Sequence, residues 1–303
     1  MDKFKQYIDV QWWNGVEKRD LENWIRNFGA SKKIAELILD NVIFYNASQL
    51  KAYTRFLVNK LQEQVYKEAM KESCFSYVDD SLLFRRWNEY MNETYFLPAA
   101  KKSDSASSAF KIIGHWRSVL GRADNTCSTI VDIENKYNEG IRRFILVDDF
   151  SGTGEQMKEV LEEKISFKGQ EIELGLLPDI VEDIEIVIAV YVIHEKAKQV
   201  LREKYEKIDL LYVDLISEKF NFLNENALMY EKYDDDKKKQ EVISEIKRIT
   251  EAIVMNNEEL SRLSSYVLNI PIVFEHGCPN NTLLLLFAHT DNWQQLFKRG
   301  IER

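Results

Sequence analysis

The chain has 303 residues, 45% hydrophobic and 30% charged, with only 11 Gly and 4 Pro, a mixture that excludes a disordered or low-complexity protein and suits one large domain or two smaller ones. Its formal charge of −9 repels phosphate backbones at long range, so strong binding of free nucleic acid is not expected. Cys74, Cys127 and Cys278 are too far apart for metal-ligand spacing, and neither a signal-peptide order nor an apolar run of membrane length (~18–20 residues) is present, so a cytoplasmic protein without a membrane partner is expected.

Residues 1–90 are expected to form a helical N-terminal region. Leu50, Tyr53, Leu57, Leu61 and Val65 recur at three and four residues, and Ser48 stands where an N-cap belongs. Trp13, Val16, Trp24 and Phe28 suggest another apolar face, and nothing in this region alternates like a strand. The region holds Trp12, Trp13, Trp24 and Trp87 and no histidine, which suits core packing and an assembly surface better than chemistry.

From about residue 93 the pattern changes. Thr94–Pro98, Phe144–Val147, Ile184–Ile193 and Asp209–Asp214 read as strands. Ile270–Phe274 is a fifth strand candidate, which Pro271 pushes towards a sheet edge. Helical stretches fit 107–120, 154–164, 194–205 and about 237–265. The alternation predicts an α/β domain over 91–303 with a mainly parallel sheet and a helical insertion at about 215–265. The charge run from Glu231 to Lys239 suits a solvated loop opening a helix.

One turn carries chemistry. The apolar strand Phe144–Val147 runs into Asp148 and Asp149, then into Ser151, Gly152, Thr153 and Gly154, then into a helical stretch from Glu155. Ligands of open α/β sheets bind at the carboxyl ends of strands. Small residues let backbone N–H groups approach a phosphate, and a following helix adds its positive end. Two adjacent carboxylates accept hydrogen bonds from sugar hydroxyls and help position a hydrated magnesium ion. A ribose 5-phosphate fits, with its phosphate on the turn and its hydroxyls on the acids. The bland alternative, acids that only cap strand and turn, stays open. Neither a P-loop nor a Gly-x-Gly-x-x-Gly fingerprint is present.

The segment Phe144 to Gly154 resembles the PRPP-binding motif of type I phosphoribosyltransferases: an apolar strand, two acids, spacer residues, Thr and Gly. It departs at Gly152, where Ala or a hydroxyl residue is common, and at Gln156, where a closing Thr is common. Phe96 to Ser108 and Phe274 to Leu283 resemble a narrower group, the PRTase-CE proteins of bacterial conflict and retron-type defence loci. The resemblance covers most of the chain and implies a phosphoribosyltransferase-like fold.

It also implies PRPP or a related ribose phosphate as ligand, with Mg2+ held indirectly through water or ribose by Asp148 and Asp149. Those acids would be the catalytic pair, and Ser151, Gly152, Thr153 and Gly154 the phosphate turn. Lys101, Lys102, Ser103 and Ser105 would form a pyrophosphate loop, with Ser107 and Ser108 offering hydroxyls and a helix N-cap. A plain surface loop fits the same residues equally well. His276, Asn280 and Asn281 are pocket candidates, against the bland reading of a structural turn. The implied activity is a phosphoribosyltransferase or a related nucleotide or ribosyl hydrolase. An effector or accessory role in anti-phage defence, with a protein or ribonucleoprotein partner, follows from the same resemblance. A catalytically inactive nucleotide-sensing or partner-binding module is the alternative.

Overall fold

The structure is a computed structural model that describes residues 2–72, 79–101, 107–121, 132–233, 235–255, 257–264 and 267–299. In chain order the elements are α1 (Asp2–Asp9), α2 (Lys18–Arg26), α3 (Lys32–Asp40), β1 (Ile43–Tyr45), α4 (Ala47–Glu72), α5 (Asp80–Asn92), β2 (Thr94–Pro98), α6 (Ala109–Leu120) and α7 (Ile133–Asn138). There follow β3 (Arg143–Ser151), α8 (Glu155–Leu161), β4 (Lys164–Phe167), β5 (Gln170–Glu173), α9 (Leu177–Ile180), β6 (Glu185–His194), α10 (Glu195–Lys204), β7 (Asp209–Ile216), α11 (Asp236–Val254), α12 (Glu258–Ser264) and β8 (Ile272–Phe274). Compact packing divides the chain into Leu50–Leu215 and, discontinuously, Met1–Gln49 with Ile216–Arg303, whereas the sequence pattern suggests a boundary near residue 90.

The Leu50–Leu215 unit is built on a four-stranded parallel sheet in the order β2-β3-β6-β7. Phe144↔Ile186 and Leu146↔Ile188 fix the central register, and Pro98 ends the edge strand β2 opposite Val147. The central strands are apolar throughout because both faces are covered. On one face Phe144, Leu146, Ile186 and Ile188 pack with Met157 and Val160 of α8 and Leu201 of α10. On the other, Phe96 lies against Trp116 of α6 with ring centroids 5.1 Å apart, and the Thr54 hydroxyl of α4 bonds the buried Tyr191 hydroxyl at 2.6 Å. The expected strands are all present, with β3 running past Val147 to Ser151.

The start of α4 differs from the expectation. Asn46, not Ser48, caps it: the Gln49 N–H donates to Asn46 Oδ1 and the Asn46 N–H donates to Gln49 Oε1, both at 2.9 Å. The reciprocal amide pair satisfies two helix N–H groups, which one Ser hydroxyl inside the first turn does not.

In the other unit, Leu21, Trp24, Phe28 and Ile38 pack with Ile246 and Ile249 of α11 and with the buried run Leu283–Ala288. The Trp24 Nε1–H donates to the Leu285 carbonyl at 2.7 Å, and Trp293 donates to the same oxygen at 3.2 Å. Trp13 and Trp24 are therefore internal core residues, while Trp12 is exposed. The fifth strand is corrected in the same unit. Ile272–Phe274 pairs in parallel with Ile43–Tyr45 as a separate two-stranded sheet and does not extend the main one. β1 also corrects the reading of the first 90 residues as strand-free; three residues are too few to show a period. The β4–β5 hairpin likewise carries no clear sequence signal. Asp235 caps α11 by accepting from the Lys237 N–H at 2.9 Å, as the charge run suggests. No helix among the described residues is long and apolar enough to cross a membrane.

Candidate functional site

Strand β3 carries Asp148 and Asp149 to the carboxyl end of the sheet, where Asp148 faces Val190 of β6 in register. Both carboxyl groups are buried, at 3% and 5% exposure. The Asp149 N–H donates to Asp148 Oδ1 at 2.9 Å. The Ser108 hydroxyl, at the start of α6, donates to Asp149 Oδ1 at 2.9 Å and lies 3.5 Å from Asp148 Oδ1. Burial, and next the neighbouring Asp149 charge, push the Asp148 carboxyl well above the usual carboxylate range. The two acids are thus a covered pair in which Asp148 holds its proton more tightly than a free carboxyl.

The turn follows at once. Ser151 still belongs to β3 opposite Ile193, and Gly154 opens α8 with φ +85°. A Cβ at Gly154 would stand 3.1 Å from the Cα and 3.4 Å from the Cβ of Ala197 in the first turn of α10. Glycine is therefore required twice, by its left-handed backbone and by its seat on α10. A side chain at 154 would meet the backbone of α10. The Thr153 hydroxyl accepts from the Glu155 N–H at 3.4 Å, at the start of α8. With seven residues, α8 offers only a short dipole.

The loop after β2 reaches the same end of the sheet. Lys101 pairs with Glu159 of α8 at 2.6 Å. Lys102, Ser103 and Ser105 lie outside the described residues. Sequence reasoning assigned Ser108 only a hydroxyl and a capping role. Its bond to the acid pair appears only when α6 is folded beside β3. His194 closes β6 one residue after the partner of Ser151, is fully buried, and accepts through Nδ1 from the Lys196 N–H at 3.2 Å as the cap of α10.

The pocket candidates His276, Asn280 and Asn281 belong to the other compact unit. His276 stacks on Phe274 with ring centroids 5.5 Å apart. Asn280 Oδ1 accepts from the Arg299 guanidinium at 3.0 Å, and the Asn281 carbonyl accepts from the Leu268 N–H at 3.1 Å. The neighbouring Thr282 hydroxyl donates to the Ile272 carbonyl at 2.7 Å. Each of these contacts holds the C-terminal segment in place. Cys74 and Cys127 lie outside the described residues; Cys278 is buried, and burial raises its thiol far enough to keep it protonated. A cleft of about 620 Å³ in this unit is bordered by Arg248, His289 and Trp293. Several of its polar groups are internally engaged, Arg248 with Glu245 and Asn27 with the Gln294 backbone.

Magnesium is tested by the donor set. Among the described residues no group of three or more His, Cys, Asp or Glu is placed to hold a metal. Two adjacent carboxylates suffice for an ion that keeps its waters and shares a ligand phosphate. The residues fit magnesium in that mode and not as a protein-caged ion.

The PRTase-CE family pattern matches residues 21–299. The chain belongs to the PRTase-CE family. No curated protein matches the sequence. The PRTase-CE match spans both compact units, so α2 from Leu21 onward, α3 and the C-terminal segment are parts of the family's architecture. It agrees with the phosphoribosyltransferase-like α/β sheet observed here.

Proposed function

We propose that this PRTase-CE protein binds PRPP or a related ribose phosphate at the carboxyl end of β3. The observation that carries the reading is the union of two buried adjacent acids with a small-residue turn seated on α10. The ribosyl hydroxyls would donate to Asp148 and Asp149, and the 5-phosphate would take the N–H groups and hydroxyls of Ser151 to Gly154. Magnesium bound with the ligand would neutralise pyrophosphate charge and assist its departure. Lys101, freed from Glu159, is the described cation of the expected pyrophosphate loop. Asp148 and Asp149 would hold the ribose and, once ionised, stabilise positive charge developing at its anomeric carbon.

Ligand sensing without turnover is the second reading. The covered acid pair and the raised Asp148 carboxyl favour it, since a transferase working near neutral pH needs ionised acids. The Gly152 and Gln156 departures from the transferase motif point the same way. The likeness to proteins of bacterial conflict and retron-type loci extends either reading to an effector or accessory subunit with a protein or ribonucleoprotein partner.

Thermal melts with PRPP or ribose 5-phosphate, each with magnesium, test binding. Ligand at ~100 times its dissociation constant should stabilise by about 2.7 kcal/mol. Thr153→Ala should shrink that shift. Release of pyrophosphate from labelled PRPP decides between turnover and sensing. Absence of any shift with the wild-type chain would overturn both readings.

A further inference from the structure

We propose that Ser108 is an internal competitor for the acid pair, its hydroxyl standing in the ligand-free protein where a ligand hydroxyl stands on binding. The inference rests on the reading that Asp148 and Asp149 accept ribosyl hydroxyls. A Ser at a helix start ordinarily turns its oxygen back onto a helix N–H. Ser108 occupies the cap position of α6 but makes no such bond; Ser107 receives the Ala109 N–H instead, at 3.3 Å. The Ser108 hydroxyl leaves its own helix to reach Asp149 at 2.9 Å and to approach Asp148 at 3.5 Å. One hydroxyl shared between two neighbouring carboxyl groups is the contact a sugar hydroxyl would make there.

The two contacts exclude each other. Asp149 and Asp148 are buried, at 5% and 3% exposure, and the Ser108 hydroxyl at the start of α6 occupies Asp149 Oδ1. A ribosyl hydroxyl takes the serine's place on Asp149 Oδ1 only if Ser108 withdraws. The fraction of molecules in which it has withdrawn scales the apparent affinity directly. Inorganic phosphate, which needs only the Ser151–Gly154 turn, is indifferent to Ser108. The device sets a threshold: the site opens only for a ligand whose own hydroxyls replace the serine's, so the sugar and not the phosphate is what it reads.

The test titrates the full chain by calorimetry, as wild type, Ser108→Ala and Ser108→Thr. The probes are ribose 5-phosphate with magnesium and, separately, inorganic phosphate. Ser108→Ala should bind ribose 5-phosphate about tenfold tighter, the size of one hydrogen bond to a charged group. Its affinity for phosphate should not change, and Ser108→Thr, which keeps the hydroxyl, should match the wild type. The ligand-free melting temperature of Ser108→Ala should fall, and the difference should vanish at saturating ribose 5-phosphate. Equal or weaker ribose 5-phosphate binding by Ser108→Ala, with the same melting deficit in both states, would make Ser108 a structural support of α6 and end the proposal. An equal gain for phosphate would also end it, because hydroxyl competition would not be the cause. Failure of all three folded proteins to bind ribose 5-phosphate would overturn the acid-pair reading itself, and this inference with it.

Discussion

Gly154→Ala tests the local geometry on which the candidate site depends. The residue sits at φ +85°, and a left-handed conformation costs an L-residue about 1–2 kcal/mol. The new methyl would also lie 3.1 Å from Ala197 Cα, a backbone atom that no rotamer change can move away. Overpacking of that kind costs roughly 1–3 kcal/mol. The two effects together give about 2–5 kcal/mol, a large part of a domain stability of about 5–15 kcal/mol. A drop in melting temperature of roughly 4–20 °C follows for a domain of this size class. Thermal and urea unfolding of the ligand-free protein measure it. A double-mutant cycle with Ala197→Gly should show favourable coupling, because it removes the methyl that lies at 3.4 Å. Recovery should be only partial, because the clash with the α10 backbone and the strain at φ +85° both remain. A Gly154→Ala protein within about 0.5 kcal/mol of wild type would refute both the turn conformation and its seat on α10.

Asp148→Asn should raise stability in a pH-dependent way. A carboxyl whose folded pKa is raised favours the folded state fully below its unfolded value, near pH 4, and that contribution is lost as pH rises through the folded value. The substituted amide does not titrate and can still accept the Asp149 N–H, so the melting difference between variant and wild type should be near zero at about pH 4 and grow positive towards neutrality. A difference that shrinks as pH rises would contradict the burial argument. Trp24→Ala should cost about 3–5 kcal/mol, since the ring is fully buried against Phe28 and its N–H bonds Leu285. Denaturant unfolding checks this; a loss under about 1 kcal/mol would return Trp24 to the role of a surface anchor.

The sequence by itself determined the main sheet and the place of the acids. β2, β3, β6 and β7 are legible because a parallel sheet covered on both faces demands unbroken apolar runs, and Phe144–Val147 and Ile184–Ile193 are such runs. Asp148, Asp149 and the residues to Gly154 are legible as a change of composition after an apolar run, although β3 itself continues to Ser151. The opening of α11 at the end of the charge run is legible because it is marked locally, whereas the cap of α4 falls on Asn46 and not on Ser48. Tertiary structure alone decided the rest. β1 and β8 are three residues each, too short to show a period, and become strands by pairing with each other across most of the chain. Trp24 could have faced a partner or the interior until Leu285 was brought beneath it. Ser108 reads as an ordinary helix cap until α6 lies beside β3 and its hydroxyl meets Asp149. That Gly154 must also leave room for Ala197, 3.1 Å from where its side chain would be, shows only in the folded chain. Periodicity and capping act over a few residues, so sequence reveals them; which side chain meets a buried carboxyl is fixed by elements brought together from distant parts of the chain, and only the folded packing selects it.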